Sequence, residues 1–240
     1  MPTGFCRAVE SHPGRGRDSH SKVSPPFYGN FMTFYAHHRP DHGPVHEALM
    51  DLSRLSAIVA DSLEDRVEQA GRLVVDCIEA GGKVLACGNG GSAADAQHFV
   101  AELVGHMSME RASLPAISLA TDPSVVTALA NDYGYERLFA RQVEGLGQPG
   151  DVLLAISTSG RSPNVLRAVE TAHERELRTV ALVGEGGDPL LTDCDVTIHI
   201  PSHNAQRVQE VHMAVLHAIC HYVDDKLPSV SSATQSKGGE

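Results

Sequence analysis

His98 and Glu102 stand four residues apart in "CGNGGSAADAQHFVAEL" (87–103). In a helix that spacing puts both on one face. A second helix-period stretch, about 205–225, carries Gln209, His212, His217 and His221. Gln209 and His217 are eight positions apart, about 80° around a helix axis, so they share one broad side two turns apart. A His–Glu pair joined by Gln and His from another helix has the ligand types and spacing for zinc or another divalent metal. The same set could supply a general acid and base. It could equally be a surface i,i+4 pair beside unrelated helix histidines.

Two other stretches have the chemistry of ligand-binding turns. Gly88-Asn89-Gly90-Gly91-Ser92 precedes the His98 helix. Glycines there permit close backbone approach, and the helix start points free N–H groups into the turn. The pattern Gly88-x-Gly90-x-x-Ala93 imitates a dinucleotide fingerprint, but that reading needs an acidic residue about 20 positions on. The next strand ends near Ala120, and Asp122 lies 34 residues after Gly88. The second stretch is "STSGRSPNVLRAV" (157–169). Ser157, Thr158 and Ser159 precede Gly160, Ser162 is placed to cap a helix, and Pro163 fits its first turn. Hydroxyls beside a helix N-terminus make an anion site; the alternative is a Ser/Thr turn with one cap. No Gly-Lys-Ser/Thr is present, so this is not a P-loop. Asn131-Asp132 closes a further helix, a position these residues also take for structural reasons.

The elements that must position these residues alternate. Five short apolar runs, at 83–87, 116–120, 151–157, 179–184 and 196–200, lack strict apolar/polar alternation, as strands buried on both faces do. Helix-period segments fall at 92–106, 124–147 with breaks, 163–175 and 205–225. Two helices are expected before them, at 45–60 and near 63–80, with Asp61 or Ser62 capping the second and Gly81-Gly82 ending it. The series predicts an α/β fold, a three-layer α-β-α sandwich around a five-stranded parallel sheet. Ligands of such sheets bind beyond the carboxyl ends of the strands, which is where the two turns lie.

The chain has 240 residues, enough for one sizeable α/β domain. Residues 1–44, with stretches rich in Gly, Pro, Ser and charge, read as a tail, and 227–240 as another whose stretch 229–240 is polar without core residues, leaving 45–226 as the domain. His20, His37, His38, His42 and His46 could suggest a metal tract, although a solvated tail accounts for them. Met32 and Met50 leave the natural start open. A net charge of −11 argues against nucleic-acid and anionic membrane surfaces. It leaves room for a phosphorylated metabolite held by local amides and hydroxyls. The five cysteines form no CxxC pair, which suits free thiols in a reducing cytoplasm.

"CGNGGSAADAQHFVAELVG", "ANDYGY", "DVLLAISTSGRSPNV" and "PSHNAQRVQEVHMAVLH" together resemble the sedoheptulose 7-phosphate (phosphoheptose) isomerases, a branch of the sugar-isomerase (SIS) domain proteins with a flavodoxin-like sheet. The resemblance runs from about residue 45 to 225. It implies aldose–ketose isomerisation of D-sedoheptulose 7-phosphate in a cytoplasmic homotetramer with sites between subunits. It further implies that Asn89, Gly90, Gly91, Ser92, Asn131 and Asp132 contact the sugar and that Ser157, Thr158, Ser159 and Ser162 hold the phosphate. His98, Glu102, Gln209 and His217 are then the zinc-site residues, with Glu102 and His217 doubling as acid/base groups. A related branch, non-catalytic and associated with the replication initiator DnaA, shares some of the wording, including "DVLLAIS" and "IPSH". That branch lacks counterparts of Glu102 and His217 and has a disrupted "STSG"; this sequence keeps all three.

Overall fold

The structure is a computed structural model, and it describes residues 43–187 and 193–227. The expected tails lie almost wholly outside these residues, as do His20, His37, His38 and His42. Six helices and five strands are described. They are α1 (Pro44–Glu79), β1 (Val84–Gly88), α2 (Gly91–Val104), β2 (Ala116–Ser118), α3 (Pro123–Tyr133), α4 (Leu138–Leu146), β3 (Val152–Ser157), α5 (Pro163–Glu174), β4 (Arg178–Val183), β5 (Val196–His199) and α6 (Ala205–Lys226).

All strand pairings are parallel, in the order β2-β1-β3-β4-β5. The expected three-layer fold is present. Successive strand residues feed opposite cores. Val84 and Ala86 of β1, with Leu154 and Ile156 of β3, pack under α1, α2 and α6 against Val74, Phe99 and Ile219. Leu85 and Cys87, with Leu153 and Ala155, pack under α4 and α5 against Phe139, Val165 and Val169. Burial on both faces is the physical cause of the missing alternation. The strand order reverses between β1 and β3, and the crevice beyond their carboxyl ends is where such folds receive ligands.

The two helices expected over 45–80 run as one, α1, of 36 residues. Ser62 does not cap a second helix; its hydroxyl donates to the Ile58 carbonyl one turn back. That bond satisfies the hydroxyl without breaking the helix. α1 lies along α6, and Arg207 of α6 donates to the Ala48 carbonyl of α1. Among the described residues, no helix is long and apolar enough to cross a membrane.

Candidate active site

β1 delivers the chain into the turn at Asn89–Gly90, where Gly90 takes a left-handed φ of 56° that favours glycine. α2 begins at Gly91 with no side-chain cap on its first N–H groups. A Cβ at Gly91 would collide with the side-chain amide of Gln209. The glycine leaves room for the Gln209 side chain against the first turn of α2. Ser92 is buried just behind it.

About two helical turns further, α2 and α6 bring three predicted residues together. The Nε2 atoms of His98 and His217 are 2.8 Å apart, and the rings meet edge to face. His98 Nε2 also lies 3.4 Å from Glu102 Oε1. One ligand atom from each of His98, Glu102 and His217 falls within 4.8 Å of the others. His98 is 42% exposed at its side chain and Glu102 21%, so the cluster faces solvent from a shallow recess.

Two imidazoles and a carboxylate, with the Gln209 amide nearby, suit zinc in donor type. Zinc–nitrogen bonds of about 2.0–2.1 Å would set the two ring nitrogens roughly 3.4 Å apart, about half an ångström beyond their present separation. Asp95, three residues before His98 on the same helix, adds a second carboxylate. It is 3% exposed, and its Oδ2 has no hydrogen-bond partner among the described residues. Burial pushes the Asp95 carboxyl up to about 6, against a hydrogen bond from Gln209 and the nearby His98, which pull it down. A buried carboxylate one turn from His98 and beside Gln209 is of the kind that orients the ligands of a metal shell.

The other α6 histidines stand apart. His212 is fully buried, and burial pushes its imidazole down to about 4, so it stays neutral near pH 7. His221 faces Ser108 across 3.5 Å.

The loop after β3 is built from consecutive residues. Ser157 Oγ accepts from the Gly160 N–H at 3.1 Å and lies 3.1 Å from Ser162 Oγ. Ser159 Oγ accepts from the Arg161 N–H. Ser162 occupies the N-cap position of α5, but its side chain makes no capping bond. Its hydroxyl turns inward to Ser157 instead, which leaves the first turn of α5 uncapped. Ser159 is exposed, and Thr158 and Ser162 are half-buried.

Asn164 joins the two turns. It is buried, and its amide exchanges two 2.8 Å hydrogen bonds with Asn89. Tyr135 donates its hydroxyl to the same Asn89 oxygen at 3.0 Å. That bond brings the end of α3 alongside the glycine turn. Asn131 and Asp132 are exposed there and bond to each other. Among the described residues, no hydrogen bond links them to the His98–Glu102–His217 cluster.

Sequence reasoning therefore missed Asp95, Asn164 and Tyr135. Asp95 had a legible signal, an i,i+3 spacing to His98 on one helix face. Asn164 and Tyr135 had none, because their partner is far away in the chain.

Comparison with known proteins agrees with this architecture. The SIS domain family matches residues 49–184. The phosphoheptose isomerase of Thiobacillus denitrificans is 49% identical over 194 residues, which are 78% of this chain and 98% of that protein. The structure of a phosphoheptose isomerase from Neisseria gonorrhoeae superimposes with a TM-score of 0.72 at 42% identity, covering 75% of this chain and 97% of that one. One from Francisella tularensis gives 0.73 at 41% identity, covering 76% and 97%. The glycine turn, the hydroxyl loop and the paired helices thus lie in a chain that belongs to the phosphoheptose isomerases, enzymes of the SIS domain family.

Proposed function

We propose that this phosphoheptose isomerase converts D-sedoheptulose 7-phosphate to D-glycero-D-manno-heptose 7-phosphate through an enediol, with Glu102 and His217 moving the protons. The observation that carries the assignment is the meeting of His98, Glu102 and His217 within 4.8 Å, beside the turn tied to the loop after β3. The ketose carbonyl at C2 acidifies the C1 protons. Glu102 removes one of them to give the enediol. His217 shuttles a proton between the C1 and C2 oxygens, and protonation at C2 leaves the aldehyde at C1. Each positioned acid/base group contributes roughly 10²–10⁴ in rate. Zinc held by His98, Glu102, Gln209 and His217 would polarise the substrate carbonyl as a Lewis acid.

The phosphate is read into the loop after β3, where Ser157, Thr158, Ser159, Ser162 and the uncapped start of α5 supply donors. That anchor is remote from C1 and C2 and supplies orientation. Asn89, Gly90, Gly91 and Ser92 are read as contacts to the sugar chain, supported by the Asn89–Asn164 bonds on one side and by Gln209 beside Gly91 on the other.

A homotetramer in the cytoplasm completes the reading. Self-association is supported by a largely apolar groove of about 540 Å³ between α1 and α6, lined by Val59, Val67, Val211, Ala218 and Tyr222 with Glu64 and Glu68 among them. Leu49 and Ile58 of α1 are also exposed, at 62% and 49%. In such an assembly the exposed Asn131 and Asp132 would be available to a site shared with a neighbouring subunit. The domain, expected at 45–226, takes in Pro44, which opens α1, and Leu227, which packs into the core.

The test is to incubate the purified full chain with sedoheptulose 7-phosphate and follow aldose formation by NMR. Aldose appearing with solvent deuterium at C2 supports the enediol route. A folded protein that forms no aldose, with and without added zinc, defeats the assignment. That outcome would revive the initiator-binding alternative, which retention of Glu102 and His217 disfavours.

A further inference from the structure

α2 carries His98 and Glu102, and α6 carries Gln209 and His217, so the site exists only if these two helices keep their spacing. At the start of α2 the side-chain amide of Gln209 lies against Gly91. At the other end a buried ion pair fixes the spacing. Arg111 lies in the segment after α2, with its side chain 2% exposed. Its Nε donates to Asp224 Oδ1 at 2.7 Å. Nη2 donates to the carbonyl of Glu102 itself at 2.7 Å, and Nη1 to the carbonyls of Leu103 at 2.8 Å and Gly105 at 3.1 Å. The last carbonyls of a helix have no partner within it, and here one guanidinium takes several of them. Asp224 in turn accepts from the Ser108 N–H and hydroxyl, both at 3.2 Å. Burial pushes the Asp224 carboxyl up, but hydrogen bonds from Arg111 and Ser108 outweigh it and leave the group below its ordinary range. Asp224 is seven residues after His217 on α6, two turns along and on nearly the same face.

We infer that the Arg111–Asp224 pair is a positioning clamp, which joins the backbone of Glu102 to the helix face bearing His217 and so sets the separation of the two proton-transfer groups. The inference rests on the assignment of those roles to Glu102 and His217. Arg111 touches neither substrate nor reacting atoms; it acts through the placement of Glu102. The clamp therefore governs turnover and leaves substrate capture, which depends on the loop after β3, nearly untouched.

Three variants of the full chain test this, each measured for kcat, KM and thermal unfolding. Arg111→Lys keeps the charge but not the planar fork that reaches several acceptors at once. Its kcat should fall about 100-fold, the cost of a misplacement near 1 Å, with KM within about threefold of the parent. The double variant Arg111→Met/Asp224→Leu replaces the buried pair by apolar groups of similar volume. It leaves the carbonyls of Glu102, Leu103 and Gly105 and the Ser108 N–H without these partners, so it should melt below the parent temperature and, where folded, show the depressed kcat. Recovery of parent kcat in the folded double variant would reduce the pair to a packing element and overturn the inference, as would a loss carried by KM. If neither clamp variant folds, the pair is a folding requirement and the positioning role is withdrawn. Glu102→Gln is the third variant. Should it turn over normally, the base assignment falls and this inference falls with it. Should it be inactive while folded clamp variants turn over normally, the clamp alone fails.

Discussion

The loop after β3 and the His98–Glu102–His217 cluster, proposed to hold the phosphate and the reacting carbons of one substrate, are assembled in opposite ways. The loop takes its hydroxyls from six consecutive positions, Ser157 to Ser162, and its internal bonds span two to five residues. The cluster joins His98 and His217, which are 119 residues apart in the chain. A local turn keeps its geometry as long as its own backbone is intact. A cluster spread over two helices inherits every error in their packing. Changes at the loop should therefore appear in binding, and changes at or behind the cluster in turnover.

The sharpest way to break this contrast is Glu102→Gln. It should lower kcat by about 10²–10⁴ while phosphate-bearing ligands still bind, measured by steady-state kinetics beside calorimetric titration with inorganic phosphate. Gly91→Ala comes next. The added methyl must push Gln209 away from the start of α2, and a displacement near 1 Å should cost up to about 100-fold in kcat. A crystal structure of that variant with Gln209 unmoved would remove the explanation. On the other side of the comparison, Ser159→Ala should raise KM roughly tenfold, the scale of one hydrogen bond to a charged group, with kcat little changed. An unchanged KM would move the phosphate elsewhere. Tyr135→Phe should do least. It removes one hydrogen bond to Asn89 at a residue that is 53% exposed, and a change of about threefold in kcat/KM is expected.

Much of this was legible from residue order alone, for reasons that differ by element. The central strands β1, β3 and β4 stand out because burial on both faces makes each a short continuous apolar run, whereas the edge strands β2 and β5 are buried only in part. The loop after β3 stands out because its donors are adjacent. His98 and Glu102 stand out through a four-residue spacing, but nothing local says that His217 meets them while His212 turns into the core. Both are histidines on one helix, and the five positions between them rotate by about 140°, which separates site from interior. Ser162 looks like a cap because Ser favours that position; its hydroxyl pairs instead with that of Ser157, and tertiary context decides. Asn164 reads as an ordinary polar residue in a first helical turn until Asn89 is set opposite it.

The unbroken course of α1 has a consequence for how this chain can change length. A loop near Ser62 would absorb an inserted or deleted residue, whereas a helix transmits it. Removing one residue there would turn Leu55 and Val59 by about 100° relative to Ala70 and Val74. The two halves of the buried stripe would then face different directions. Since α1 lies along α6, the fault would be felt at the helix that holds Gln209 and His217, far from where the residue was lost. Point changes on the outer side of α1 should be well tolerated through this region, and single-residue length changes should not.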